Sequence, residues 1–390
     1  MYIERDISKE LNDAAEQFPV VFLTGPRQSG KTTLLKKIFP NHTYTNLEDP
    51  EMRYWAIDQP RDFLENNQWP VIIDEAQYAP DLFSYIQSIV DQQQKPGMYV
   101  MSGSQNFLLM EKITQSLAGR SAVLTLLPLS FQEISRVYED QKTNNIILNG
   151  FFPRIYQTIK DVSLFYKSYL NTYVERDVRQ LANIGNANDF IRFVQLCAGR
   201  SGQLLNIASL STEAGVAYNT CKSWLSYLST GYIIQMLQPY YKNFNKKIVK
   251  APKLLFTDTG LLCHLLGIHS SETLALHPLR GSIYENLIYS EIIKSNVNNG
   301  NKANIWFWRD NHGTEIDFLL EKGTNITAIE AKSASNFHDD YLNNLLKFRK
   351  YNPDVQEMYL VYDGKIERKK ADINIVNWKN SEYLPSPRLR

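Results

Sequence analysis

The chain has 390 residues, of which 43% are hydrophobic and 21% are charged, so it can form two or three domains with separate cores. The formal net charge is only +1, so the overall balance requires no nucleic acid, membrane surface or acidic partner, and any nucleic-acid contact must come from local patches. The three cysteines are widely spaced, which argues against a disulfide framework and against a zinc site.

The N-terminal residues 1–10 are charged where a signal peptide would be apolar, and no apolar run in the sequence has the length of a membrane span. We therefore expect a cytoplasmic protein with no membrane partner. Apolar residues recur every four positions over 1–18, which predicts an amphipathic helix that packs on the domain that follows.

A glycine-containing loop lies between an apolar run at 19–23 and a helical pattern at 33–38. Two glycines with four residues between them, followed by Lys-Thr, in the order strand, loop, helix, distinguish a phosphate-binding loop from an ordinary turn. The glycines let backbone N–H groups turn inward onto phosphate oxygens, and the next helix points its positive end at the same phosphates. The residues predicted to bind ATP in this loop are Gly25, Pro26, Arg27, Gln28, Ser29, Gly30, Lys31, Thr32 and Thr33.

Within this loop we expect Lys31 to reach the β- and γ-phosphates and the Thr32 hydroxyl to ligate Mg²⁺. A second apolar run, at 69–73, ends in Asp74 and Glu75. Beside a phosphate-binding loop, Asp74 would hold the hydrated Mg²⁺, and Glu75 would orient and polarise the water that attacks the γ-phosphate. Without that loop, the two acids would indicate only a solvated strand end.

Two later positions are candidates for contacts with the γ-phosphate. The strand pattern at 98–102 ends in a polar turn, where Ser104, or in second place Gln105, would touch the γ-phosphate or the attacking water. Arg120 precedes another strand pattern at 122–127. If subunits form a ring, Arg120 can act in trans on a neighbour's γ-phosphate. The alternatives are a plain turn and a structural arginine.

These pieces together resemble a widespread family of prokaryotic AAA-superfamily ATPases, whose members join an ATPase core to a C-terminal domain of unknown function. The resemblance covers nearly the whole chain and implies a five-stranded parallel sheet between helices, with the nucleotide at the carboxyl ends of the strands. The segments that carry it are 25–32, 73–77, 102–105, 116–120 and 127–133.

Gly150 and Pro153 are placed like a lid element of related ATPases, in which a Gly-x-x-Pro segment lies against the base or ribose. Carried over, Pro153 would pack on the nucleotide and Arg154 would sense its phosphates, whereas the residues alone indicate only a turn. Residues 173–179 also resemble a family signature, although their alternating charges fit a solvated helix equally well.

Two short helical patterns, at 206–215 and 216–228, flank a turn of helix-turn-helix length, and strand patterns follow at 232–237 and 253–256. This outline predicts a winged helix that contacts DNA, although winged helices also serve as structural joints or protein docking modules. The residues predicted to face DNA are Tyr218, Asn219 and Lys222 on the second helix and Lys246, Lys247 and Lys250 in the basic loop.

The last region resembles the restriction-endonuclease-like fold with its Asp…Glu-x-Lys signature. A strand with Asp317 is followed by a turn and a strand with Glu330 and Lys332, which the period of two places on one face. Two carboxylates there, Asp317 and Glu330, would hold Mg²⁺ or Mn²⁺, while Lys332 would stabilise or activate the attacking water. Glu285 on the preceding helix could complete the site. The alternative is a relative of nucleases that is kept for binding.

The sequence therefore predicts an α/β protein with four parts. These are a P-loop AAA-type ATPase core at 1–145, a helical lid at 146–199, a winged-helix domain at 200–276 and a restriction-endonuclease-like domain at 277–390. The function favoured is Mg²⁺-dependent ATP hydrolysis by a ring-forming homo-oligomer that acts on DNA. The alternatives are an ATP-controlled signalling switch and a protein-remodelling ATPase, neither with nuclease activity.

Overall fold

A parallel β-sheet forms the centre of the N-terminal domain in the computed structural model, which describes residues 2–103, 116–173, 187–240, 250–301, 304–380 and 383–384. The elements of this domain are α1 (Ser8–Gln17), β1 (Val20–Thr24), α2 (Lys31–Ile38), β2 (Thr43–Asn46), α3 (Pro50–Asp58), α4 (Pro60–Asn66), β3 (Val71–Asp74), α5 (Leu82–Gln93), β4 (Tyr99–Ser102) and β5 (Ser121–Thr125). The strands lie in the order β2-β3-β4-β1-β5, and every neighbouring pair is parallel. The five-stranded parallel sheet expected from the sequence is confirmed.

Helices cover both faces of this sheet, which explains why its central strands are apolar up to a polar last residue. All residues of β1 are buried, and successive side chains enter opposite layers. Phe22 packs with Phe83 in one layer, while Leu23 packs with Leu34 in the other. The strands run in the same direction, so the residues that follow β1, β3 and β4 meet at one edge of the sheet.

A group of short helices follows the sheet and carries the predicted lid. Its helices are α6 (Phe131–Ser135), α7 (Thr143–Asn149), α8 (Pro153–Gln157) and α9 (Val162–Tyr173). Pro153 occupies the first turn of α8, where the missing N–H of proline costs nothing. Phe152, just before it, packs against the rings of Phe165, Tyr166 and Tyr169 on α9, with ring centroids 4.7 to 6.2 Å from its own.

The next unit contains three helices and an antiparallel hairpin. Its elements are α10 (Ala187–Ala198), α11 (Ile207–Ala214), α12 (Tyr218–Thr230), β6 (Ile234–Leu237) and β7 (Lys253–Phe256). Gly215 ends α11 in a left-handed conformation with φ of 71°, which opens the turn into α12. Leu204 adds a further antiparallel bridge to Lys253. The two helices and two strands predicted here are thus present.

A second, mixed sheet forms the C-terminal domain. Its elements, with two helices that lead into it, are α13 (Thr259–Leu265), α14 (Ser271–Leu276), α15 (Arg280–Asn298), β8 (Ile305–Arg309), β9 (Glu315–Lys322), β10 (Asn325–Lys332), α16 (Asn343–Tyr351), β11 (Val355–Tyr362), β12 (Arg368–Lys370) and β13 (Ile373–Asn377). The strand order is β12-β13-β11-β10-β9-β8. Strands β8, β9 and β10 form an antiparallel meander, and β11 lies parallel to β10 after the crossover through α16.

The hairpin unit is joined directly to this second sheet. The chain leaving β6 pairs in parallel with β8 through Pro239 and Phe307, and the Tyr240 N–H donates to the Phe307 carbonyl at 2.8 Å. One hydrophobic cluster runs from the lid through the three-helix unit into the C-terminal domain. These parts are therefore held together by a shared core.

A buried carboxylate fastens the lid to this shared core. Asp258 accepts hydrogen bonds from the Phe151 N–H at 2.8 Å, the Tyr166 hydroxyl at 2.7 Å and the Leu261 N–H at 2.9 Å. Burial raises the pKa of Asp258, although these hydrogen bonds oppose that effect. One side chain thus caps α13 and fixes the turn that precedes α8.

The N-terminal helix is shorter than its apolar spacing predicted. The pattern extends over residues 1–18, but α1 begins at Ser8, and residues 2–7 form an arm along the domain in which Ile3 is buried. The spacing misleads because Ile3 packs into the lid cluster instead of onto the face of a helix. None of the helices within the described ranges is long and apolar enough to cross a membrane. Cys197, Cys221 and Cys263 are free and buried.

Gly150→Ala should destabilise the fold strongly, because Gly150 has φ of 66° and an added Cβ would overlap the Tyr166 hydroxyl and the Asp258 carboxylate. We expect a loss of about 2–4 kcal/mol in the free energy of unfolding, measured by circular dichroism during thermal or urea unfolding. The matched control is Gly281→Ala on the exposed start of α15, where a Cβ meets nothing within 4 Å. Equal stability of the two variants would contradict this account of the lid turn.

Candidate functional site

The loop between β1 and α2 owes its shape to two glycines. Gly25 and Gly30 have φ of 143° and 95°, values that residues with a side chain rarely adopt. A Cβ on Gly25 would overlap the carbonyl oxygen of Leu126, which follows β5. Gly30 is the N-cap of α2, so the positive end of that helix faces the loop. This backbone is suited to binding an anion.

Lys31 and Thr32 take the positions that their predicted roles require. The Lys31 ammonium is buried and donates to the carbonyls of Gly25 at 2.9 Å and Pro26 at 3.0 Å, inside the loop. The Thr32 hydroxyl donates to Asp74 Oδ2 at 2.6 Å. A hydroxyl beside a carboxylate is the donor set that Mg²⁺ takes next to phosphate oxygens, so these residues fit the predicted ion.

Asp74 connects three strands at the edge where they end. It is 2% exposed and accepts hydrogen bonds from Thr32, from the Tyr44 hydroxyl at 3.0 Å and from the Ser102 hydroxyl. Burial, and then the Asp74 charge, raise the pKa of Tyr44, so its hydroxyl stays protonated and can donate. Ser102 ends β4 and was not singled out as a site residue, although it directly precedes the polar turn that contains Ser104.

Glu75 follows Asp74 in a left-handed backbone conformation, with φ of 55°. Such a conformation is costly for a residue with a side chain and is concentrated at functional sites. The Gln77 amide donates to the Glu75 carboxylate, and Glu75 lines the cavity above the loop. A carboxylate held in this way can orient a water molecule.

A cavity of about 460 Å³ lies over the glycine-containing loop. Its size is within the range of small-molecule sites. Of the residues predicted to bind nucleotide, those that line it are Arg27, Gln28, Ser29, Gly30, Lys31, Thr32, Thr33 and Pro153. Gly25 and Pro26 belong to the loop but are not among the lining residues. Arg154, on α8, also lines the cavity.

The N-terminal arm supplies cavity residues that the sequence did not reveal. Tyr2, Ile3 and Arg5 all line the cavity. Arg5 is 5% exposed and donates to the Ser29 carbonyl at 2.9 Å, the Leu127 carbonyl at 2.6 Å and Glu133 at 3.1 Å. It therefore holds the loop against the start of the lid. A single arginine near the N-terminus carries no motif by which this role could be recognised.

The two remaining candidates near the γ-phosphate have different outcomes. Ser104 and Gln105 lie outside the described residues. Arg120 is partly exposed and pairs with Asp91 on α5, with a second hydrogen bond of 3.0 Å, and it does not line the cavity. A role in trans requires Arg120 to lie outside the pocket of its own subunit, as it does here. The role itself stays a prediction. Most of 173–179 also lies outside the described residues.

The C-terminal sheet brings Asp317, Glu330 and Lys332 together. Phe318 pairs with Ile329 across β9 and β10, so Asp317 lies opposite Glu330, and Asp317 Oδ2 accepts the Ala331 N–H at 2.8 Å. Lys332 Nζ donates to Glu330 Oε1 at 2.7 Å. Burial and the Asp317 charge raise the pKa of Glu330. The three side chains therefore lie close together, as the sequence predicts.

Lys253 lies in the same cluster of acids, and no sequence pattern predicts a role for it. Its ammonium is buried, forms an ion pair with Glu315, and lies 3.7 Å from Glu285 and 4.0 Å from Asp317. Burial lowers the pKa of Lys253, but the carboxylates outweigh it and raise the pKa overall. Burial and then Asp317 raise the pKa of Glu285. Lys253 begins a predicted wing strand, and nothing in the sequence around it predicts contact with these acids.

The C-terminal acids do not fit a metal ion in this arrangement. The described part of the chain contains no group of three or more His, Cys, Asp and Glu residues placed to hold a metal. One Asp317 oxygen already accepts the Ala331 N–H, and one Glu330 oxygen accepts from Lys332. The Lys253 ammonium lies 4.0 Å from the other Asp317 oxygen. The metal-binding role of Asp317 and Glu330 therefore stays a prediction, without support from the donor set.

The residues predicted to face DNA are exposed wherever the structure describes them. Tyr218 is 51% exposed, and Asn219 and Lys222 are exposed on the same half of α12. Lys250 is exposed just before β7. Lys246 and Lys247 lie outside the described residues. Exposure of these groups is compatible with DNA contact and equally with a docking surface for a protein.

Three consecutive segments of the chain match known family models. Residues 17–135 match an AAA domain, residues 140–272 match a domain of unknown function (DUF8612), and residues 280–380 match another domain of unknown function (DUF4143). An uncharacterized protein of Mycobacterium tuberculosis is 30% identical over 341 residues, which cover 86% of this chain and 75% of that protein. The figures for an uncharacterized protein of Mycobacterium bovis are the same.

The chain belongs to the family of these two proteins. It carries an AAA domain whose parallel sheet and phosphate-binding loop are those described above, and a C-terminal DUF4143 domain. The AAA match ends at the last residue of α6, and the DUF8612 match extends from α7 through the three-helix unit and α13 to the start of α14.

Two solved structures with partial similarity are a Walker-type ATPase and an AMPPCP-bound DnaA. A Walker-type ATPase of Pyrococcus abyssi is 15% identical with a TM-score of 0.45, covering 68% of this chain and 96% of that one. AMPPCP-bound DnaA from Aquifex aeolicus is 10% identical with a TM-score of 0.28, covering 57% of this chain and 85% of that one. Similarity at this level says nothing about what this chain acts on.

Arg5→Met should destabilise the AAA domain. The substitution leaves the buried Glu133 carboxylate without its cation and removes the donors to the Ser29 and Leu127 carbonyls. We expect a loss of about 3–5 kcal/mol, measured by urea unfolding. Arg136→Met is the control, since Arg136 forms an exposed ion pair with Asp6, of the kind that contributes about 0–1 kcal/mol. Similar losses for both variants would show that Arg5 does not support the loop.

Proposed function

We propose that this protein binds and hydrolyses ATP with Mg²⁺ in the cavity over the glycine-containing loop. The observation that carries the proposal is the hydrogen bond from Thr32 to Asp74, at 2.6 Å, beside the loop. It joins the two residues that would hold Mg²⁺ although they are far apart in the sequence. The AAA domain match and the cavity volume support the same reaction.

Each part of the site has a role in this proposal. Backbone N–H groups of the loop and Lys31 bind the phosphates, and bound Mg²⁺ supplies charge neutralisation at the transferred phosphoryl group. Glu75 accepts a hydrogen bond from the attacking water and orients it toward the γ-phosphate. Pro153 and Arg154 close the cavity from the lid side, where they can respond to the nucleotide.

Lys31→Ala should abolish ATP binding or turnover, and Glu75→Gln should bind ATP but hydrolyse it at least about 100-fold more slowly. Isothermal titration with a non-hydrolysable ATP analogue separates binding from turnover, and phosphate release gives the rate. Lys37→Ala, on an exposed position of α2, is the control for Lys31. Normal turnover by Lys31→Ala would refute the assignment of the loop, and unchanged turnover by Glu75→Gln would place the water-activating group elsewhere.

We further propose that the ATPase acts on DNA through the three-helix unit, read as a winged helix. The observation that favours this is the exposed start of α12, where Tyr218, Asn219 and Lys222 share one surface beyond the turn at Gly215. The succession α10, the Leu204 bridge, α11, α12 and the β6-β7 hairpin supports the winged-helix interpretation. A signalling switch or a protein-remodelling ATPase is the rival, in which this surface meets a protein.

The C-terminal domain would grip or cut the DNA in this proposal. Its succession of helix, three antiparallel strands, helix and a fourth parallel strand supports a restriction-endonuclease-like fold. The contact of Lys332 with Glu330 opposite Asp317 supports the Asp…Glu-x-Lys interpretation. In a ring, Arg120 would exchange Asp91 for the γ-phosphate of the neighbouring subunit.

Replacing Lys222 and Lys250 together by alanine should weaken duplex DNA binding and reduce its dependence on salt. We expect the slope of log K against log salt to fall by about one unit for each lysine that meets a phosphate. Fluorescence anisotropy at several salt concentrations measures this slope. Lys9→Ala on α1 is the control because Lys9 is exposed on the AAA domain. DNA binding with an unchanged slope would exclude this surface, and an absence of DNA binding by the wild type would favour the protein-partner rival.

A further inference from the structure

Lys253 reaches from the β6-β7 hairpin into the acids of the C-terminal domain. Its side chain is 4% exposed, and its ammonium contacts Glu315 and lies within 4.0 Å of Glu285 and Asp317. These carboxylates come from α15 and β9, two elements of another domain. Lys253 is therefore buried among three carboxylates of a neighbouring domain. This environment differs from that of a surface ion pair, in which water surrounds both charges.

The backbone around Lys253 is held in place on both sides. Leu204 bridges to Lys253, and the Leu254 N–H donates to the Gln203 carbonyl at 3.1 Å. At the other end of β7, the Phe256 N–H donates to Asn286 Oδ1 at 2.6 Å, next to Glu285 on α15. Strand β7 therefore holds the Lys253 ammonium against the acids, because its other end is hydrogen-bonded to α15 of the C-terminal domain.

The acids around Lys253 retain capacity for another cation. Arg309 lies 3.2 Å from Glu315, and Lys332 lies 2.7 Å from Glu330, so three cations face the four carboxylates of Glu285, Glu315, Asp317 and Glu330. Glu330 is 2% exposed, and its Oε2 atom is buried without a hydrogen-bond partner. An unpartnered buried carboxylate oxygen is expensive unless a cation or donor reaches it.

We propose that the Lys253 ammonium takes the place of a divalent cation in this acid cluster, so that Lys253 and a bound Mn²⁺ or Mg²⁺ exclude each other. The proposal rests on the proposed pairing of Asp317 and Glu330 as oxygen ligands. A cation bound to Asp317 Oδ1 would lie next to an ammonium that is already 4.0 Å from the same oxygen. Repulsion between the two cations in a buried site would be strong, because water screens it poorly there.

The consequence concerns how the C-terminal domain behaves in this arrangement. With Lys253 in place, cations of the chain itself balance most of the charge of these acids, and a divalent cation is kept out. Removal of the lysine charge uncovers Asp317 and Glu330 as a site for a hard divalent cation with oxygen ligands.

The test is a titration of the nucleotide-free full-length protein with Mn²⁺, followed by electron paramagnetic resonance of the free ion. Lys253→Met should bind one Mn²⁺ at least tenfold more tightly than the wild type, and adding Asp317→Asn to that variant should abolish the gain. Lys253→Arg, which keeps the charge, should behave like the wild type. Lys322→Met, at the exposed end of β9, is the control for loss of a nearby lysine.

The outcomes separate this proposal from the ones before it. If Lys253→Met fails to fold by circular dichroism, Lys253→Gln, which keeps a donor for Glu315, provides the same readout. Equal Mn²⁺ affinity for wild type and the neutral variants, at a site lost in Asp317→Asn, would overturn the exclusion and leave the acid pair intact. A lack of Mn²⁺ binding in every variant would overturn the acid pair together with the exclusion, and the ATPase measurements would stand unaffected.

Discussion

The hydrogen bonds to the Asp74 carboxylate are the interaction on which the candidate site of the AAA domain depends. They exist because β1, β3 and β4 are parallel neighbours, so that the residues following each strand must meet at one edge. Thr32 comes from the helix after β1, Ser102 from the end of β4 and Tyr44 from β2. The glycine-containing loop completes the site, because its backbone adopts conformations that residues other than glycine rarely adopt.

The rest of the chain is attached to this edge through buried polar contacts. Arg5 ties the loop to the start of the lid, and Thr24, just before the loop, is 3.1 Å from the Tyr232 hydroxyl at the base of the hairpin. Asp258 fastens the lid turn to α13. These contacts link the loop to the lid and to the hairpin, and Lys253 lies on the second strand of that hairpin.

In the C-terminal domain, a predicted cluster of side chains is present, and a neighbouring unit places a further cation beside it. Asp317, Glu330 and Lys332 lie together as the spacing predicts, because a hairpin places facing residues on one surface. The cation beside them is supplied by a strand more than fifty residues earlier in the chain, Lys253. The charge state of such a cluster is a property of the assembled domains.

The sequence by itself determined the parts of the protein that are set by local pattern. Apolar runs, glycine positions and Asp-Glu at a strand end predicted the loop, the Thr32 and Asp74 pair and the cavity residues of the loop, whereas the five-stranded parallel sheet and the place of Pro153 were implied by the family resemblance. Only the tertiary structure decided the roles of Arg5, Ser102 and Lys253, and the start of α1 at Ser8. The physical reason is that a single buried polar side chain acquires its role from partners distant in sequence, which no local periodicity encodes.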